Sequence, residues 1–234
     1  MTSIFLVTSA IYTSHGKCST EERIEQTRET IKSIGTYASG SKIVLLDAGE
    51  KSVDIDFGVE LIDYTQKQII IEPLNYYLSN NKDLEPDIII KSMLEIIMFG
   101  DYLKNHLLKS YSRVFKLSGR YRLNSKFNQS KHLEAKNKIL ILPPYHSQHL
   151  YNIQVSSSIF QYMTRCWSFD SNIILNILKT YDKMKRDIIL ASQTEKQGDI
   201  EHLLYKHLDK RLVTHTDIMG VEGYWAPLRM WIEE

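Results

Sequence analysis

Two carboxylates in the last quarter of the sequence have the type and spacing that proton transfer requires. The segment Asp199-Ile-Glu-His202 follows Gly198 and predicts the start of a helix. Asp199 has the residue type and position of a helix N-cap. Glu201 falls in the first turn, where its carboxylate could take a proton from an attacking hydroxyl group. The helix dipole alone also favours acidic residues in a first turn, so a structural role for Glu201 stays open.

A second set of polar residues lies in the turn Ser118-Gly-Arg-Tyr-Arg122, which follows an apolar predicted strand. Gly119 lets a ligand approach the backbone closely, and Ser118 offers a hydroxyl group. Arg120 and Arg122 carry planar guanidinium groups that can bind phosphate oxygens. These residue types suit a diphosphate. The alternative is that Gly119 only makes the turn and that both arginines are solvated surface charges.

A third candidate is Asp47, which ends a predicted strand and precedes Ala48-Gly49. In an open α/β sheet, ligands bind beyond the carboxyl ends of the strands, so residues 8–12 after the first strand are candidates as well. A carboxylate at Asp47 could accept hydrogen bonds from a nucleotide base or a ribose hydroxyl. It could equally cap the next turn, and the sequence does not choose between these roles.

Few residues in the sequence have the spacing of metal ligands. Asp54-Ile-Asp56 is its one D-x-D segment, in an alternation typical of a solvated strand edge, and residue type alone makes it a candidate metal site. His146 and His149 are predicted to lie in a surface loop, and the eight histidines supply no HExxH segment. Cys18 and Cys166 form no CxxC pair, which excludes zinc ribbons and favours a reducing compartment.

Composition and missing motifs narrow the class of function. The 234 residues include 29 Lys and Arg against 28 Asp and Glu, a net charge of +1, so the basic excess of a nucleic-acid binder is absent. Glycine motifs for dinucleotides or P-loops and a nucleophile elbow do not occur, which argues against NAD enzymes, P-loop kinases and α/β-hydrolases. We expect a soluble, cytoplasmic protein without a signal peptide or a membrane-spanning segment.

The pattern of apolar residues predicts the fold class. Short β-branched runs alternate with amphipathic segments, as in βαβ units. This predicts a single α/β domain over residues 1–234, with a mostly parallel central sheet flanked by helices. Strands are predicted at 4–10, 42–47, 59–64, 112–117, 138–142 and 161–169. Helices are predicted from the capping box at 19–22 to residue 37, from Pro86 to about residue 108, and over 174–188 and 199–208, with an extended tail at 212–227.

Six segments, taken in order, resemble a known family. They are FLVTSAI at 5–11, RIEQTRETIKSI at 23–34, KIVLLD at 42–47, FKLSGRY at 115–121, DIEH at 199–202 and GVEGYWAP at 220–227. Their order resembles small nucleotide-sugar glycosyltransferases of the GT-A type, particularly those of large DNA viruses, phages and marine cyanobacteria. The resemblance spans nearly the whole chain and implies a GT-A-like fold. For a viral protein it also implies the cytoplasm of the host.

The resemblance implies which residues hold the donor. Such enzymes move a sugar from a nucleotide-sugar donor to a hydroxyl group of a glycan or glycoprotein acceptor. The end of their first strand and the carboxylate after the second hold the base and ribose, which assigns Thr8, Ser9, Ala10 and Asp47 here. A carboxylate near the acceptor is the base of inverting members, and Glu201 is our first choice for it.

Asp199 is the second choice for the base, and the metal question is open. GT-A enzymes usually carry a D-x-D segment after the fourth strand to hold a divalent metal, Mn or Mg, on the diphosphate. Here that place reads Ser-Gly-Arg. Either Arg120 and Arg122 supply the positive charge, or other residues hold the metal.

A non-catalytic nucleotide-binding or glycan-binding module is an alternative function, as is a nucleotidyltransferase on a similar sheet. A nucleotidyltransferase usually shows a glycine-rich basic loop after its first strand, and residues 12–17 match this only weakly.

Overall fold

The chain folds around a seven-stranded sheet. The computed structural model describes residues 2–14, 17–80, 87–147, 153–194, 196, 198–225 and 230–234. The strands are β1 (Ser3–Ser9), β2 (Lys42–Asp47), β3 (Glu60–Asp63), β4 (Arg113–Ser118), β5 (Tyr121–Leu123), β6 (Ile139–Ile141), β7 (Tyr145–His146), β8 (Phe160–Gln161), β9 (Cys166–Asp170), β10 (Val213–His215), β11 (Val221–Trp225) and β12 (Met230–Glu233). The helices are α1 (Thr20–Tyr37), α2 (Gln68–Asn80), α3 (Asp87–Asn105), α4 (Gln129–Glu134), α5 (Ile153–Ser156), α6 (Ile174–Gln193) and α7 (Ile200–His207).

The central sheet has the strand order β10-β6-β9-β4-β1-β2-β3. β1 pairs in parallel with β2 and β4, β2 pairs in parallel with β3, and β10 pairs in parallel with β6. β9 runs antiparallel to its neighbours β4 and β6. The predicted mostly parallel sheet flanked by helices is therefore confirmed. The register places Thr8 beside Leu46 and Ser118, so the carboxyl ends of β1, β2 and β4 meet at one edge.

Helices cover both faces of the central sheet because β1 and β4 bury side chains on each side. On one face the rings of Phe5 and Phe115 stack with centroids 4.3 Å apart, and α1 and α4 lie over them. On the other face, Leu6 and Trp167 are fully buried among residues of α3, α6 and α7. Burial of each such side chain contributes roughly 1.5–3 kcal/mol, so these two layers hold the sheet edge in place.

A second sheet, with the order β12-β11-β5, packs against α1. α1 begins with the predicted capping box, which is confirmed, and it covers the open edge of β5 with hydroxyl groups. The Thr30 hydroxyl donates to the Tyr121 carbonyl at 2.8 Å, and the Leu123 N–H donates to Ser33 Oγ at 2.9 Å. These bonds explain why buried positions of α1 are Thr and Ser, since an edge strand exposes unpaired backbone groups.

The structure differs from the sequence prediction in two regions. The pattern does not predict α2 as a helix of its own, and Pro73 lies inside it. The predicted strand 161–169 is instead β8 and β9, because the backbone between them leaves the sheet. There the Thr164 carbonyl accepts from Lys116 Nζ at 2.6 Å and the Arg165 carbonyl accepts from the Ser118 N–H at 2.8 Å.

The predicted extended tail contains β10 and β11. Some residues of the sequence predictions lie outside the described residues, namely the last two of the tail, Pro86, His149 and residues 15–16. Among the helices in the described ranges, none combines the length and the apolar character that a bilayer crossing needs.

Candidate functional site

The ends of β1 and β2 meet around the carboxylate of Asp47, which is fully buried. Its Oδ1 accepts hydrogen bonds from the Ser9 hydroxyl at 2.6 Å and the Ile11 N–H at 2.9 Å, and its Oδ2 accepts one from the Gly49 N–H at 3.1 Å. Burial raises the pKa of the Asp47 carboxyl, and this effect exceeds that of the three hydrogen bonds. Asp47 thus holds the loops after β1 and β2 in one arrangement, and its contact with a nucleotide stays a prediction.

The turn after β4 packs directly on the end of β1. The Gly119 N–H donates to the Thr8 carbonyl at 2.8 Å, and a Cβ at Gly119 would lie only 3.3 Å from that oxygen. A side chain at this position would therefore crowd the contact between the turn and the end of β1. The Thr8 hydroxyl is buried and has no hydrogen-bond partner within the described ranges. This edge of the sheet therefore has one hydroxyl group that is free to bond with a ligand. The next residues continue the edge, where the Ala10 carbonyl accepts from the Arg23 guanidinium at 3.5 Å.

Glu201 lies next to the end of β4. The backbone that leaves the sheet before β9 connects them, since the Ser118 N–H donates to the Arg165 carbonyl at 2.8 Å. The adjacent Thr164 donates its hydroxyl to Glu201 Oε1 at 2.9 Å. The structure thus brings together Ser118 and Gly119, the end of β1 and Glu201, which are far apart in the sequence.

The surroundings of Glu201 make its carboxyl a weaker acid than usual. The side chain is partly buried, and burial is the main cause that raises its pKa to about 7. The neighbouring charge of Asp199 raises the pKa further, while the Thr164 hydrogen bond opposes the shift. A carboxylate with a pKa near 7 is suited to accept a proton at neutral pH, because general bases work best when their pKa is close to the working pH.

Asp199 is the N-cap of α7, as its sequence position predicts. Its Oδ1 accepts from the His202 N–H at 2.9 Å and lies 2.6 Å from His202 Nδ1. Both side chains are buried. Asp199 therefore organises the first turn of α7 through His202, and it acts on Glu201 through its charge. A role for Asp199 as the base itself stays a prediction.

The sequence analysis does not identify the buried ion pair behind Glu201. Lys116 Nζ lies 2.6 Å from Glu95 Oε1, and the Lys116 side chain is only 1% exposed. The same Nζ donates to the Thr164 carbonyl at 2.6 Å, so it holds the residue that contacts Glu201. A lysine in the middle of an otherwise apolar strand is the signal in the sequence, because buried charges require partners.

The two arginines of the turn face a different region. Arg122 forms hydrogen-bonded ion pairs with Glu222 at 2.7–2.8 Å and lies 3.6 Å from Glu29 of α1. Arg120 and Arg122 both line a cleft between α1 and the second sheet. That sheet packs on the face of the central sheet opposite to the one that carries α7 and Glu201. Binding of a diphosphate by Arg120 and Arg122 stays a prediction.

Known structures share this fold. No family model and no curated protein matches the chain. The mannosyltransferase Ktr4p from S. cerevisiae is similar over 92% of this chain and 68% of its own, with a TM-score of 0.61 and 10% identity. Its complex with GDP is similar over 91% and 68%, with a TM-score of 0.56 and 10% identity. Mouse xyloside xylosyltransferase 1 in its apo form matches over 92% and 85%, with a TM-score of 0.48 and 10% identity.

The likeness to Ktr4p and the strand order together confirm the predicted fold class, a GT-A-like α/β fold with a mostly parallel sheet.

The candidate metal-ligating residues have other partners in the structure. The described ranges contain no group of three His, Cys, Asp or Glu residues placed to hold one. At the candidate D-x-D segment, Asp54 accepts from the Tyr12 hydroxyl and Asp56 accepts from the Gly58 N–H at 2.7 Å. His146 packs on Phe160 with ring centroids 4.4 Å apart.

Proposed function

We propose that this chain is a glycosyltransferase that moves a sugar from a nucleotide-sugar donor to a hydroxyl group of a glycan or glycoprotein, with inversion at the anomeric carbon. The observation that carries the proposal is Glu201, a partly buried carboxylate beside the end of β4 whose Oε1 accepts from the Thr164 hydroxyl at 2.9 Å. Burial raises its pKa to about 7. Its support is the fold shared with Ktr4p, which has been solved in complex with GDP.

The proposed reaction needs one proton acceptor and a site for the leaving group. The acceptor oxygen forms a bond to the anomeric carbon while its proton passes to the Glu201 carboxylate. The bond between that carbon and the diphosphate oxygen breaks, and its electron pair leaves with the nucleoside diphosphate. Lys116 and Thr164 hold the Glu201 side chain in position. The Thr8 hydroxyl, which has no partner among the residues that the structure describes, lies at the proposed nucleotide end.

The experiment that tests this function measures release of nucleoside diphosphate from a panel of GDP-sugars and UDP-sugars with glycan acceptors. Each assay is run with Mn, with Mg and with EDTA, so that any dependence on a divalent metal is measured together with transfer. NMR of the product then shows whether the anomeric configuration is inverted. Saturable nucleotide binding without release in any assay would instead favour the non-catalytic module.

We expect Asp199→Asn to move the acid limb of the pH–rate profile to lower pH. The negative charge of Asp199 raises the pKa of Glu201, so removing that charge lowers this pKa and leaves Glu201 deprotonated in more acidic solution. Stability should change by only a few tenths of a kcal/mol, since Asn also caps helices well. The profile of kcat/KM between pH 5 and 9 is the measurement, and an unchanged acid limb would contradict the coupling.

We expect Asp47→Asn to weaken binding of GDP or UDP by about tenfold to a hundredfold, because an amide cannot accept the three hydrogen bonds that order the two loops. Calorimetry measures the affinity. Asp63→Asn is the matched control, since Asp63 pairs with Asp47 at the end of the neighbouring strand β3. If folded Asp47→Asn binds GDP or UDP as tightly as folded Asp63→Asn, the loops around Asp47 do not belong to the nucleotide site.

A further inference from the structure

The outer face of the second sheet carries an exposed tryptophan beside a partly buried tyrosine. Tyr224 of β11 and Trp231 of β12 are directly paired, and Trp231 is 53% exposed. The alternate positions Val221 and Ile232 belong to the core on the inner face. Large aromatic rings that stay in contact with water at paired positions are typical of a binding surface, because burying them would otherwise stabilise the fold.

These rings form one wall of the cleft between the second sheet and α1. The cleft has a volume of about 300 Å³, and its other wall consists of polar side chains of α1, including Glu25, Gln26 and Glu29. Arg120, in the turn that follows β4, and Arg122, in β5, also line the cleft. This volume is at the lower end of the range for small-ligand sites.

The charges of the cleft decide which class of ligand it suits. Four carboxylates line it, from Glu22, Glu25, Glu29 and Glu222, against the two guanidinium groups of Arg120 and Arg122. Arg122 is already paired with Glu222 and lies 5.2 Å from the Trp231 ring centroid. Glu25 and Glu29 also lie 4.0 Å from Arg28 and 3.5 Å from Lys32 of α1, so the charges around the cleft are largely balanced and offer no net attraction to a polyanion.

We propose that this cleft binds a neutral oligosaccharide. One face of a pyranose ring presents C–H groups, which pack on the electron-rich face of an aromatic ring such as Trp231. Its hydroxyl groups donate to the carboxylates on α1 and accept from Arg120. Arg120 of the cleft adjoins Gly119, which packs on the end of β1, so only a glycan long enough to pass around this sheet edge would reach the face that carries Glu201. That it holds the distal part of an acceptor rests on the proposed function; sugar binding itself does not.

The test is calorimetric titration of the full chain with neutral pentasaccharides of α-mannan, β-xylan and α- and β-glucan. We expect saturable binding of at least one, weakened by about tenfold in Trp231→Ala. Trp231→Phe keeps a flat ring and should stay within about threefold of the parent protein. Leu175→Ala on α6 is the control for loss of an exposed apolar side chain, since Leu175 is 62% exposed, and it should bind normally.

The outcomes separate this cleft from the proposed reaction. Binding that depends on Trp231, without release of nucleoside diphosphate in any assay, would uphold the cleft and reject the transferase. Sugar transfer by a protein that binds none of the four pentasaccharides would contradict the proposal that the cleft binds a glycan. Equal pentasaccharide affinity in Trp231→Ala and in the parent protein would contradict it as well. Preference for a pentalysine peptide over all four glycans would also overturn it, because the carboxylates would then select a cation.

Discussion

Replacement of Glu201 by Gln is expected to lower the rate of sugar transfer by about a hundredfold or more, because one positioned general base contributes about 10² to 10⁴ in rate. Gln has the same shape and can still accept from the Thr164 hydroxyl, so the local structure should persist. It cannot take the proton of the acceptor. The measurement is kcat from nucleoside diphosphate release at saturating donor and acceptor, with calorimetric donor affinity as the check on folding.

The pH dependence of the parent protein gives an independent test of the same assignment. Since burial raises the pKa of Glu201 to about 7, transfer should increase with pH up to about that value and then level off. Glu201→Gln should lose this limb along with the rate. A variant that keeps the parent rate, or loses only donor affinity, would show that Glu201 is a structural residue of the first turn of α7.

Replacement of Lys116 by Met is expected to lower the free energy of unfolding by about 3 kcal/mol, because it leaves the charge of Glu95 mostly buried without its partner. Met fills nearly the same space as the lysine stem, so the loss reports the charge and the hydrogen bond to Thr164. Urea denaturation measures it. Lys42→Met is the matched control, since Lys42 pairs with Glu60 at 2.8 Å on the surface, where such a pair contributes about 0–1 kcal/mol.

A second substitution separates the effect of charge from that of packing. In Lys116→Met with Glu95→Gln no charge is left unpaired, so more than half of the lost stability should return. If the double variant is as unstable as Lys116→Met alone, the loss comes from the missing hydrogen bond to the Thr164 carbonyl and not from Glu95.

The sequence predicts the features that depend on neighbouring residues. The capping box of α1 and the cap at Asp199 lie within three residues of the groups that they bind, so their residue types are sufficient evidence. The strands β1 and β2 were predictable because buried parallel strands are near-continuous apolar runs, and β4 keeps this pattern except at Arg113 and Lys116. The meeting of their carboxyl ends follows from the parallel order.

Features that depend on distant residues could not be predicted in the same way. Lys116 and Glu95 lie on different elements, and neither residue type names its partner. The turn after β4 has the appearance of a phosphate site, yet Arg122 pairs with Glu222, which is 100 residues away in the sequence. The second sheet brings them together, and β5 contributes only three residues to it, too few for a periodic pattern.

The hydroxyl groups by which α1 covers β5 restrict which sequences can adopt this fold. Valine has nearly the shape of threonine but can neither donate nor accept a hydrogen bond, so valine at these positions would leave backbone groups of the turn and of β5 without their partners. Thr27, Thr30 and Ser33 repeat every third residue, and their partners Gly119, Tyr121 and Leu123 repeat every second. The spacing of hydroxyl residues in α1 and the spacing of their partners in the turn and β5 therefore arise from the same contact. The two spacings together could identify distant relatives whose overall sequence identity is no higher than chance.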